Sequence, residues 1–155
     1  MKLAEIYKQF APGELLGDYQ EPTVGDGCIM VAPDKLLGVC RKLKEDQGLA
    51  FDYLKLITAV DRGEKLSSVY HLYSYAHNHS LTLRVDVDRA NPSLPSVASL
   101  WMAANWHERE CFDMMGIVYE GHPELRRILL PLDWEGYPLR KDYKQPASYH
   151  GIKND

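Results

Sequence analysis

A chain of 155 residues with 45% hydrophobic content fits one domain with one core, and a formal charge of −4, with an acidic body and a nearly neutral tail, argues against the basic face that non-specific nucleic-acid binding requires. Its 3 cysteines, Cys28, Cys40 and Cys111, are scattered with no C-x-x-C, which excludes an iron–sulfur cluster or a structural zinc built from cysteines of this chain alone. No apolar run approaches the ~20 residues of a bilayer span, and Met1-Lys2-Leu3-Ala4-Glu5 lacks the apolar stretch of a signal peptide, so the chain is expected to work in the reducing cytoplasm.

Helical and strand patterns give an α+β order. Leu3 to Phe10 reads as a short amphipathic helix ended by Ala11-Pro12-Gly13, and a Gly/Pro-rich connection runs to Gly27. Cys28 to Ala32 is a short apolar strand. Pro33 suits the first turn of a helix and Asp34 complements its dipole; Leu36, Leu37, Val39, Cys40 and Leu43 then form an apolar face until Gly48 closes the element. Phe51 to Asp61, Ser67 to Tyr75 and Ser80 to Asp88 are rich in β-branched and aromatic residues. The short connections Arg62-Gly63-Glu64-Lys65 and His77-Asn78-His79 make them an antiparallel meander. After Asn91-Pro92-Ser93-Leu94-Pro95 breaks the chain, Ser96 is placed to cap a helix holding Leu100 and Trp101. Asn105 is placed to cap a further stretch ending at Gly116.

Beyond residue 120 the texture changes. Pro123, Pro131, Pro138 and Pro146 interrupt a segment with little periodicity, which has no core of its own. The expectation is therefore an α+β body over 1–120, with a mixed sheet of about four strands and helices on one side, and an extended arm over 121–155 lying along a partner.

Three places could hold chemistry. His107-Glu108-Arg109-Glu110-Cys111 has the outline of the zinc motif H-E-x-x-H with Cys in the last place, but it lacks a fixed third ligand. Cys111 shares an apolar stripe with Met114 and Met115, so its thiol reads as buried and not as a nucleophile with His107 or His122 as base. His77-Asn78-His79 reads as a polar turn. No G-x-G-x-x-G or G-x-x-x-x-G-K-[ST] offers a dinucleotide or phosphate cradle.

What remains is the composition of a docking surface. On a helix Trp106, Arg109, Glu110 and Asp113 fall on one face and Glu108, Phe112 and Met115 on another, with Arg109 in reach of Asp113 as a local, solvated ion pair. Trp106 on that charged face is the mixture found at interface hot spots. His122, Arg126, Arg127, Trp134, Tyr137, Arg140, Lys141, Asp142, Tyr143 and Tyr149 extend the pattern. The acids Glu124, Asp133, Glu135, Asp142 and Asp155 nearly cancel the charge there, which favours a protein partner over single-stranded nucleic acid.

Three blocks in order, E-R-E-C-F-D from Glu108, H-P-E-L-R-R-I from His122 and W-E-G-Y-P-L-R-K-D-Y from Trp134, closely resemble the signature of the C subunit of the proton-pumping NADH:quinone oxidoreductase, respiratory complex I. The resemblance spans residues 25 to 145 in segment order and is specific from Trp101 onward. It implies a peripheral-arm subunit without a redox centre, packed against the large subunit that forms the quinone pocket and near the iron–sulfur subunits. NADH, quinone, FMN and iron–sulfur clusters would all belong to those partners. It also implies a position on the cytoplasmic side of the cell membrane, reached only through the complex. An equivalent subunit of a membrane-bound hydrogenase or F420H2 dehydrogenase is the alternative within the same class; a stand-alone metal or thiol hydrolase is the alternative outside it.

Overall fold

A four-stranded mixed sheet carries the rest of the molecule. The computed structural model describes residues 3–10, 13, 15–16 and 27–153. In chain order these form α1 (Leu3–Tyr7), β1 (Ile29–Met30), a 3-10 turn (Pro33–Lys35) running into α2 (Leu36–Glu45), β2 (Tyr53–Asp61), β3 (Lys65–Ser74), β4 (His79–Asp88), β5 (Ser93–Pro95), α3 (Met102–Met115), β6 (Val118–Glu120), β7 (Ser148–Tyr149) and β8 (Ile152–Lys153). The main sheet has the order β1-β4-β3-β2, with β1 parallel to β4 and the other pairs antiparallel.

The period of two fixes which face is covered. On β3 Leu66, Ser68, Tyr70 and Leu72, and on β4 Leu81, Leu83, Val85 and Val87, turn to one side and are buried. Residues Leu36, Val39, Cys40 and Leu43 of α2 join them in a single core with Ala104, Cys111 and Met115 of α3. Each fully buried leucine contributes roughly 2 kcal/mol by leaving water. The pairing of β3 with β4 runs without a break from Lys65↔Asp88 to Ser74↔His79, whereas β2 carries one bulge between Leu54 and Leu56. At the β3–β4 turn Asn78 takes a left-handed φ of 51°, so His77-Asn78-His79 is a hairpin turn; His77 and His79 bond the Gln47 and Leu49 carbonyls.

Two expectations for the middle of the chain fail. Ser96 does not start a helix. Ser93–Pro95 instead forms a short strand, with Leu94 buried, parallel to β6. Nor does Asn105 cap one, because α3 is continuous from Met102 to Met115 and its N-cap, Trp101, is extended with no side-chain cap. The Trp101 indole N–H reaches the Phe51 carbonyl at 3.2 Å, so tertiary packing sets the helix start in place of capping chemistry. At the other end Gly116 closes α3 in the left-handed conformation (φ 72°), its N–H on the Phe112 carbonyl, as expected. The helix expected over Leu3–Phe10 is cut to Leu3–Tyr7, and most of the Gly/Pro-rich connection to Gly27 lies outside the described residues.

Candidate docking surface

The signature residues sit on α3 and on the segment after β6, and their side chains face each other. Glu108 is fully buried and points into the body. It accepts the Ser96 hydroxyl at 2.6 Å and the Val97 N–H at 2.7 Å, tying α3 to the loop after β5. Burial raises its carboxyl to about 7, against the pull of those two hydrogen bonds. The His122 side chain is buried beside it, Nε2 lying 4.0 Å from Glu108 Oε2. His122 Nδ1 accepts the Glu124 N–H, which leaves Nε2 to donate to the Asn105 carbonyl at 3.1 Å.

Asp113, also fully buried, organises the arm. One carboxylate oxygen holds the Arg127 guanidinium at 2.6 Å, and the other accepts the backbone N–H groups of Ile128, Leu129 and Leu130 at 2.9, 2.7 and 2.9 Å. Desolvation pushes this carboxyl up, but the hydrogen bonds outweigh it and leave it below the usual carboxylate range. The solvated Arg109–Asp113 pair expected from the i, i+4 spacing is therefore not formed, because a better partner arrives from the arm. Arg109 instead donates to the carbonyls of Arg126 (3.2 Å) and Arg127 (3.4 Å) and lies over the Trp106 ring, 5.3 Å from its centroid.

The arm completes the C-terminal end of α3. Backbone carbonyls of Asp113, Met114 and Met115, orphaned by the helix end, accept Arg127 Nη1, the Leu139 N–H and Arg140 Nε. The Tyr137 ring sits between the Arg127 and Arg140 guanidiniums, 5.5 and 4.7 Å from its centroid, and presses on Gly116. A Cβ at Gly116 would stand 2.5 Å from that ring, so glycine is needed there for contact as well as for φ. Arg127 also bonds the Trp134 and Gly136 carbonyls, both at 2.9 Å, and the Tyr143 ring covers Gly136. Farther on, Asp61 at the end of β2 accepts the Lys141 N–H (2.9 Å) and the Arg89 guanidinium (2.7 Å), which also pairs with Asp142. These bonds, the Arg89 side chain first, hold Asp61 well below the usual carboxylate range. Trp134 packs on Tyr149 at the far end.

Outward, several large apolar side chains and several charged groups face solvent. Met102 and Trp106 on α3 are 90% and 61% exposed, and Leu129, Leu132 and Leu139 on the arm are 62%, 76% and 59% exposed. Glu110, Arg126, Lys141 and Asp142 are exposed as well. Sequence reasoning missed Asp61, Arg89 and Met102, which carry no local motif; Tyr137 and Gly116 were each singled out, but not their contact.

Cys111 lies in the core, 4% exposed, as its apolar stripe implies. Burial raises the Cys111 thiol to about 12, and Cys111 lies 3.8 Å from the Ile57 carbonyl. Among the described residues no group of three or more His, Cys, Asp or Glu could hold a metal ion, and no helix is long and apolar enough to cross a membrane.

Comparison with known proteins places the chain in a family. Residues 29–149 match the family model described as respiratory-chain NADH dehydrogenase, 30 kDa subunit. The chain is 53% identical over 113 residues to the C subunit of NADH-quinone oxidoreductase from Chloroherpeton thalassium, covering 72% of this chain and 47% of that protein. It is 47% identical over 134 residues to the protein of the same name from Roseiflexus castenholzii, covering 84% and 76%. It thus spans about half the length of the first relative and about three quarters of the second. Among solved structures it resembles a trypsin-resistant fragment of Nqo5 (TM-score 0.58, 29% identity, 68% of this chain and 87% of that one). It also resembles a chain of a membrane-bound sulfane sulfur reductase, an archaeal respiratory membrane complex (TM-score 0.71, 26% identity, 90% and 82%).

Proposed function

Since the chain belongs to the family of the 30 kDa subunit of respiratory-chain NADH dehydrogenase, we propose that it is a non-redox assembly subunit in the peripheral arm of an NADH:quinone oxidoreductase. In this reading it braces the large subunit that forms the quinone site, beside iron–sulfur subunits. Electrons pass from NADH to quinone, with proton translocation, through groups those partners carry. The chain itself holds no cofactor and meets the cytoplasmic side of the membrane only through the complex.

One observation carries the reading: the signature acids and arginines are used inside the chain to fasten the arm, and the braced arm then presents Leu129, Leu132 and Leu139 to solvent. A folded body gains nothing from exposing three leucines on a segment held by so many hydrogen bonds. A partner that covers them does gain, at roughly 25 cal/mol per Å². Within the proposed partner interface, Trp106, Glu110, Arg126, Lys141 and Asp142 supply exposed contacts. Glu108, Arg109, Asp113, His122, Arg127, Trp134, Arg140 and Tyr143 shape the surface from beneath or at its edge.

The likeness to the sulfane sulfur reductase chain favours a second reading, the same brace in a hydrogenase-type complex with another electron donor. Replacing Leu129 and Leu132 together by Asp tests the docking role in both. The isolated variant is expected to keep its circular dichroism and melting temperature, fail to co-purify with the large subunit, and lower quinone reductase activity in step with assembly. Normal assembly of the variant would overturn the proposal, and NADH-driven against hydrogen-driven reduction in the intact complex separates the two readings.

A further inference from the structure

We propose that the groove beside Trp106 is a socket for an acidic segment of a neighbouring subunit, a carboxylate side chain flanked by an apolar residue. This rests on the docking reading above but concerns residues other than the arm leucines, none of which lines the groove. The groove, about 610 Å³, runs along Met102, Asn105, Trp106 and Arg109 of α3 and is closed by Pro123 and Arg126. That volume is in the range of pockets that hold a few side chains.

Its floor is an incompletely compensated cation. Arg109 is only 5% exposed, yet among the described residues no carboxylate lies within 4.0 Å of its guanidinium, whose hydrogen bonds go to two backbone carbonyls. A buried charge without a counterion is unfavourable, and its planar fork of donors matches a carboxylate. The lining charges agree: Arg109 and Arg126 face Glu124 alone, which pairs with Arg126 at 2.7 Å, so one incoming carboxylate neutralises the groove. Trp106 and Met102, both exposed on its wall, supply the apolar contact that a lone anion would not use.

The test places a photo-crosslinking amino acid at Met102, or separately at Leu132, in the full chain assembled in its complex. The residue at 102 is expected to capture a partner-subunit peptide with Asp or Glu at the attachment point or next to it. Arg109→Met should lower that yield at least about tenfold while Arg109→Lys retains most of it. Because Arg109 also holds arm carbonyls, Asn105→Glu provides a cleaner variant: one helical turn before Arg109, it supplies a carboxylate from within the chain. It should keep the melting temperature and reduce the yield several-fold. Crosslinks from 102 confined to this chain or to peptides without an acid, or an unchanged yield in Asn105→Glu, would overturn the socket while crosslinks from 132 leave the docking reading standing. Loss of partner crosslinks from both positions in a purified complex would overturn both.

Discussion

Asp113 and Arg127 form the joint at which the arm is fixed to α3, their charged groups 2.6 Å apart with the carboxylate fully buried. Removing one partner of such a joint leaves the other charge stranded. Asp113→Ala would leave the Arg127 guanidinium and three backbone N–H groups short of an acceptor, and is expected to destabilise the isolated chain by roughly 3–5 kcal/mol. Urea unfolding gives the magnitude. Trypsin should cut the mutant at Arg126, Arg127 and Arg140 under conditions where the wild type resists, and equal cleavage would contradict the joint.

Glu108 makes stability depend on pH in the direction opposite to most carboxylates. Its folded value, raised to about 7 from 4.5, means that the folded state keeps a proton the unfolded chain gives up. The stability tied to that proton is complete below about pH 4.5 and is lost as pH rises to about 7, on the order of 3 kcal/mol. Glu108→Gln, neutral throughout, should narrow the gap to wild type or overtake it as pH climbs from 5 to 8. A gap that is flat with pH refutes the assignment. At the acid end Asp61 and Asp113 act in the normal sense, since both are held low; their contribution is complete above about pH 4 and falls away below it.

Gly116→Ala combines two penalties. A left-handed φ of 72° costs a β-carbon roughly 1 kcal/mol, and that carbon would meet the Tyr137 ring at 2.5 Å. A total loss of about 2–3 kcal/mol is expected. In a Tyr137→Leu background the same substitution should cost about 1 kcal/mol less, a coupling that a double-mutant cycle measures directly.

Thiol labelling probes the core. Cys40 and Cys111 are buried with thiols pushed far up by desolvation, whereas Cys28 is exposed. Iodoacetamide at pH 8 should therefore modify Cys28 alone in the native protein and all three sites only in denaturant. Rapid native labelling of Cys111 would reopen the nucleophile reading.

Much of the fold is legible in the sequence, because β3, β4 and α2 each carry a sustained period that burial must respect. The short parallel pair β5–β6 was not, since three residues such as Ser93-Leu94-Pro95 are too few for a period and their partner lies beyond a helix. The docking surface shows the same division. Its residue types could be named from the sequence, but a helical wheel joins Arg109 to Asp113 by spacing alone. It cannot see Arg127, which arrives from 14 residues beyond Asp113 and takes the carboxylate. For Asp61, which anchors Lys141 from 80 residues away, no local pattern exists to be read.

The packing of Tyr137 on Gly116 has a consequence in time. Synthesis runs forward, so α3 emerges with the carbonyls of Asp113, Met114 and Met115 bare. Their partners Arg127 and Arg140 follow 14 and 25 residues after the carbonyls they cap. At translation rates of about 5–20 residues per second, that helix end stays hydrated for on the order of a second or more. The helix that anchors the arm is thus closed only after the main sheet has been made, and a pause in translation between Gly116 and Tyr137 would hold a nascent chain with its sheet complete and its docking face not yet made.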